Sequence, residues 1–159
     1  MSTIKAIRLC CFSAAMLFAM ASNADIPIDE IKAVLQANVN ALAKKDAAAF
    51  AVTYATNPSM IDDNPPYSWS GKNAVNHYFN DVMEFAKKGG FTDATVTVTE
   101  VTHATQDGSK IYAVFPLDIS YKDTKTNTAV KLKAAETVVF KKSINGKWLI
   151  KSSAWALIN

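Results

Sequence analysis

Between residues 28 and 45 the apolar positions recur every three or four residues. Ile31, Val34, Leu35, Val39 and Leu42 share one face, which predicts an amphipathic helix from Ile28 to Lys45. Asp29 and Glu30 suit the positive N-terminal end of such a helix, and Lys44-Lys45 its negative C-terminal end. Asp46, ahead of Ala47-Ala48-Ala49-Phe50, reads as the N-cap of a short second helix reaching Tyr54, because an aspartate there accepts bonds from the free first-turn amides. Asn57-Pro58 is expected to end it. Ser59 to Asp62 suits a short strand, and Pro65-Pro66, lacking N–H donors, makes the stretch that follows irregular. Gly71 leads into a third helix with Val75, Tyr78, Phe79, Val82 and Ala86 on its buried face, stopped by Gly89-Gly90.

After Phe91 the period shortens from helical to alternating. Four runs rich in valine, threonine and aromatics predict strands over Ala94 to Thr105, Lys110 to Tyr121, Thr128 to Lys142 and Lys147 to Leu157. Asp107-Gly108 and Asn145-Gly146 are hairpin turn signals, and Lys122 to Asn127 is a polar loop. Three helices followed by an antiparallel meander give the α+β class, with the helices on one face of the sheet. Along the third of these strands Val130, Leu132, Ala134, Glu136, Val138 and Phe140 fall on one face, so alternation points Glu136 inward. A bulge, or a place at a wet rim, would turn it back to water.

The first residues have a different pattern. Lys5 and Arg8 precede an apolar run, Leu9 to Ala21, and Ser22-Asn23-Ala24 closes it with small residues, which is the layout of a secretory signal cut after Ala24. About 13 apolar residues are too few for a bilayer span, which takes roughly 20, so the processed protein, residues 25-159, is expected to be periplasmic or secreted, without a membrane anchor. Both cysteines, Cys10 and Cys11, leave with the signal. The remaining chain then has no disulfide, no thiol nucleophile and no thiolate metal site. Removing Lys5 and Arg8 from the 17 basic residues leaves 15 lysines against 14 acidic residues and no arginine. That near-balance argues against nucleic acid, and the loss of arginine removes the side chain best suited to clamping phosphate or carboxylate in two-point fashion.

Three passages together resemble the nuclear transport factor 2-like, SnoaL-like superfamily, which includes ketosteroid isomerases and polyketide cyclases. They are Lys45-Asp46-Ala47-Ala48-Ala49-Phe50 with Tyr54, then Gly71-Lys72-Asn73-Ala74-Val75 with Tyr78-Phe79, and finally Asn145-Gly146-Lys147-Trp148-Leu149-Ile150 with Ser152 to Trp155. The resemblance implies a cone, three helices packed on a strongly curved antiparallel sheet, with an apolar pocket at its open end. It also implies a carboxylate at the mouth, which Asp62 or Asp63 would supply as a general base. Tyr67 and Trp69 would provide the apolar wall that raises its pKa. Asp-Asp-Asn-Pro-Pro is equally ordinary turn chemistry.

Other positions hold two readings each. Asn38, inside the apolar stripe of the first helix, could reach into the pocket or be a satisfied core amide. Tyr54, Phe79, Phe115, Trp148 and Trp155 could be core or could wall a cavity. His77, with Asp81 four residues on, reads as solvated, and His103 has no second histidine at ligand spacing, so no metal or other cofactor is expected. Every familiar catalytic set of the superfamily is incomplete here. The first helix has no tyrosine to serve as an oxyanion donor, no arginine stands between two aspartates, and Ser152 and Ala154 occupy places where many small relatives carry histidine. The expectation is therefore a pocket protein that binds a small, mainly apolar molecule and forms a homodimer. A lyase or isomerase using Asp62 or Asp63 with Glu136 is a second reading, and an interaction module working through the convex sheet face is a third.

Overall fold

The structure is a computed structural model in which residues 25–158 are described. The signal expected over residues 1–24 lies outside the described residues. No helix among those described is long and apolar enough to cross a membrane.

Helix α1 spans Ile28–Ala43 and buries Ile31, Leu35, Asn38, Val39 and Ala41. Asp46 caps α2, Ala47–Ala51, its side chain accepting from the Ala49 amide at 2.9 Å. The short helix stops before Tyr54, earlier than expected, because Tyr54 opens a strand, β1, Tyr54–Ile61. Asn57-Pro58 lies within that strand. Asn57 takes a left-handed φ of 50°, and the register with the neighbouring strand slips between Tyr54 and Ser59, so an irregularity absorbs the proline that a regular ladder would reject. A three-residue strand, β2, Ser68–Ser70, pairs with its end. Helix α3, Ala74–Gly89, buries Ala74, Tyr78 and Phe79 and ends on Gly90, whose φ of 77° supplies the left-handed cap.

The remaining strands are β3 (Phe91–Val98), β4 (His103–Asp107), β5 (Lys110–Asp123), β6 (Thr128–Lys142) and β7 (Trp148–Ile158). The single strand expected over Ala94 to Thr105 is two strands. Both β3 and β4 lie antiparallel along β5, one on each side of Pro116. Across the break the Pro116 carbonyl accepts from the Thr99 amide and the Val114 carbonyl from the Thr102 amide, both at 3.0 Å.

The sheet order is β2-β1-β7-β6-β5-β3, with β4 also on β5. One pairing departs from the antiparallel expectation: β1 runs parallel to β7, so the curved sheet is mixed. The α+β class and helices packed on a curved sheet are as expected. Between helices and sheet the core fills with Phe50, Phe115, Phe140, Ile111 and Ile150, all fully buried. Toward the far ends of β3, β5, β6 and β7 the packing opens into a cavity.

Candidate functional site

Helices α1 and α3 form one side of this cavity, the concave face of the sheet forms the other, and its volume is about 370 Å³. Spacing explains the helical wall: Tyr78, Val82, Phe85 and Ala86 are four, three and one residues apart, a single face of α3. Val82 and Ala86 are only half-buried because they face this space and not the filled core. Alternation explains the sheet wall, to which β5 contributes Leu117, Ile119 and Tyr121, and β6 contributes Leu132 and Glu136.

Asp62, just after β1, is 3% exposed and is the best-connected side chain in the site. Its Oδ1 accepts from the Asn64 amide at 2.8 Å and from Asn64 Nδ2 at 2.7 Å. Its Oδ2 accepts from the Tyr78 hydroxyl at 2.9 Å and from the Trp155 indole N–H. The Asn64 bonds close the turn that Pro65 and Pro66 cannot close with amides of their own, and the Asp62 amide donates to the Tyr67 carbonyl at 3.1 Å. Asp62 is therefore a turn residue whose buried side chain also borders the cavity. Asp63, next in sequence, stays exposed at the rim. Partial burial and the neighbouring Asp62 charge raise its pKa.

Glu136 points inward as alternation predicts and is 7% exposed. Burial raises its pKa from the usual value to about 7. The Ser153 hydroxyl offsets part of that shift and the Asp62 charge adds to it. Such a carboxyl exchanges its proton near neutrality, the range in which a general acid or base works. Tyr54 and Tyr78 face the same space, and both phenols are raised by burial first, then by Glu136 for Tyr54 and by Asp62 for Tyr78. They remain hydrogen-bond donors at ordinary pH. Asn38 is a satisfied core amide, its Nδ2 donating to Thr53 Oγ1 at 2.8 Å, and it also borders the cavity.

Of the remaining candidates, Trp155 lines the cavity and the others do not. Tyr67 is 58% exposed, turned outward by a left-handed φ of 70°, so it is no apolar wall for the aspartates. Trp69 is buried but stands behind Tyr78, edge-on at 4.9 Å, with its indole N–H donating to Asp81 at 2.7 Å. That bond also gives Asp81 a partner other than His77, which is exposed. Phe79 lies around the helix from the lining face, against Phe50 at 5.4 Å. Phe115 sits below the cavity floor, packed edge-on with Phe140 at 6.3 Å. Trp148, at the opposite end of β7 from the cavity, is buried with Lys142 5.3 Å above its ring, and its indole N–H has no hydrogen-bond partner among the described residues.

Residues that sequence reasoning missed include Asn64, Phe85, Phe91 and Tyr121, with Tyr78 counted only as core. A phenol on the buried face of a helix needs a polar partner, and that requirement was the available signal for Tyr78. Among the described residues no group of three or more His, Cys, Asp or Glu could hold a metal ion.

The SnoaL-like domain model matches residues 31–154. Similar solved structures include a ketosteroid isomerase-like protein from Erwinia carotovora, 17% identical, covering 85% of this chain and 98% of its own, with a TM-score of 0.66. A nuclear transport factor 2-like superfamily protein from Salmonella enterica is 15% identical over 82% of this chain and 90% of its own, with a TM-score of 0.67. A hexachlorocyclohexane dehydrochlorinase from Novosphingobium barchaimii is 11% identical over 82% and 86%, with a TM-score of 0.68. At these identities the likeness is one of fold. No curated protein sequence matches the chain.

Proposed function

The chain belongs to the SnoaL-like domain family, and from that premise we propose that it is an exported protein that binds a small, mainly apolar molecule in the cavity. One observation carries this reading. A space of about 370 Å³ is walled chiefly by apolar and aromatic side chains and carries a smaller set of polar groups, among them Asn38, Tyr54, Asp62 and Glu136, which is the kind of lining that suits a small ligand. Trp155 makes the proposal testable without knowing the ligand, because its indole is part of the wall. Native mass spectrometry of protein purified from its own compartment should find a bound small molecule, and removing it should shift Trp155 emission. Ligand-free protein with unchanged emission in apolar ligand screens would refute the proposal.

The same experiment addresses two companions of this reading. Cleavage after Ala24 would leave Asp25 as the first residue of the exported form, read directly from its mass. A homodimer through the outer sheet face would be counted as two subunits. It is supported by half-buried Val114, Pro116, Ala135 and Val139, which point away from the helices.

A lyase or isomerase is the second reading, favoured by the near-neutral pKa of Glu136. The roles first assigned to the carboxylates would exchange. Asp62 is occupied by four donors, whereas Glu136 is free to move a proton between itself and a ligand, with the Tyr54 phenol beside it as donor. Glu136→Gln would then abolish turnover of any substrate found while leaving its binding in place; unchanged turnover would remove this reading.

A further inference from the structure

Charge is segregated in this protein. The titratable groups bordering the cavity are Tyr54 from β1, Asp62 and Asp63 from the loop after it, Tyr78 from α3, Tyr121 from β5 and Glu136 from β6. Among the described residues nothing cationic lines the cavity with them: α1, β3 and β7 contribute no lysine, arginine or histidine. Lysines are frequent elsewhere, but those on β6, at 131, 133, 141 and 142, are exposed on the outside. An acidic interior with no counter-cation costs desolvation energy that a purely apolar ligand does nothing to recover.

The walls around these carboxyls are rich in aromatic rings. Phe85, Phe91 and Tyr121 form a contiguous aromatic group, with ring centroids 5.7 Å apart for the first pair and 4.6 Å for the second. Tyr54, Tyr78 and Trp155 add further rings around the two buried carboxyls. Aromatic faces attract organic cations, and more strongly where water is excluded.

We infer that the ligand of this cavity is a lipophilic organic cation, an amine or quaternary ammonium on an aromatic or aliphatic body, its charge held by Glu136 and Asp62 among the surrounding rings. This deepens the proposed function and rests on it. Anions are disfavoured because the lining puts two buried carboxyls, and no cationic side chain, beside them. A cation would also draw the proton off Glu136, so binding near neutral pH releases protons.

The test uses three probes of similar bulk: benzyltrimethylammonium, its uncharged isostere neopentylbenzene, and the anion hydrocinnamate. Binding is followed by Trp155 emission and by calorimetry in buffers of different ionisation enthalpy. At a pH about one unit above neutral, the cation should bind at least about tenfold more tightly than the isostere. That preference should shrink as the pH falls below that of Glu136 titration, and the buffer dependence should report proton release. Glu136→Gln should lose most of the preference and the proton release while still binding the isostere. Equal or tighter binding of the isostere or the anion would overturn the cation inference and leave the apolar pocket standing. An unchanged preference in Glu136→Gln would overturn it too. If no probe alters Trp155 emission or gives binding heat, the pocket reading falls with it.

Discussion

Glu136 on β6 and Trp155 on β7 are directly opposed cross-strand neighbours, and both border the cavity. The side chain that changes charge near neutrality therefore sits beside a fluorophore. Trp155 is also bonded to Asp62, so the indole joins the two buried carboxyls.

The pH dependence of stability follows from this burial. The folded chain holds the Glu136 proton up to about pH 7, whereas the unfolded chain releases it near the ordinary value of 4.5. Its contribution to stability is complete below the unfolded pKa and is lost as pH rises through the folded one. Glu136→Gln keeps the shape and carries no charge. It should match wild type in acid and become more stable by roughly 3 kcal/mol above neutral pH. Urea unfolding across the range checks it, and parallel curves would show a solvated carboxylate.

Asp62 and Asp63 should respond unequally to the same change. Asp62→Asn turns an amide donor toward donors from Tyr78, Trp155 and Asn64, which should cost about 2 to 4 kcal/mol. Asp63→Asn, at an exposed site, should stay within about 0.5 kcal/mol of wild type. Thermal or denaturant unfolding of the pair decides it.

Beneath the cavity, Asn38 donates to Thr53, and Thr53 Oγ1 donates in turn to the Phe50 carbonyl at 2.7 Å. Thr53→Val preserves shape and leaves the Asn38 amide without its acceptor. A loss of about 1 to 3 kcal/mol is expected, read from the urea midpoint, with ligand binding retained.

Chelator and reductant should leave the melting temperature of the processed protein unchanged. The only cysteines, Cys10 and Cys11, precede residue 25, and no metal-binding group occurs among the described residues. A drop of several degrees in a calorimetric scan with either reagent would count against this.

Periodicity carried much of the fold and one part of the site. The two-residue alternation of β6 places Glu136 inward because a sheet covered on one face ties side-chain direction to sequence parity. Asp46 and the Asn-Gly and Asp-Gly turns were legible for a similar reason, each being a local interaction between near neighbours. What stayed hidden was non-local. That β1 lies parallel to β7 depends on residues more than ninety positions apart, and Asn57-Pro58 read as a terminator because nothing nearby reveals the irregularity that accommodates it. Tyr67 and Trp69 failed as walls for a related reason: proximity in sequence to the aspartates says little about direction once a left-handed residue intervenes.

The bonds to Asp62 also bear on when the site comes into being. Its partner Trp155 is 93 residues away, as is the Ser59–Ser152 hydroxyl pair joining β1 to β7. Contacts of such sequence separation are entropically late, since a long loop must close before any of them forms, and topologies rich in them fold in milliseconds to seconds. A collapsed chain whose helices and β5–β6 hairpin have formed would still lack the Asp62–Trp155 bond. The carboxylate side of the cavity is thus completed only when β1 docks beside β7, and until then the aromatic side chains that line it have no fixed wall to face.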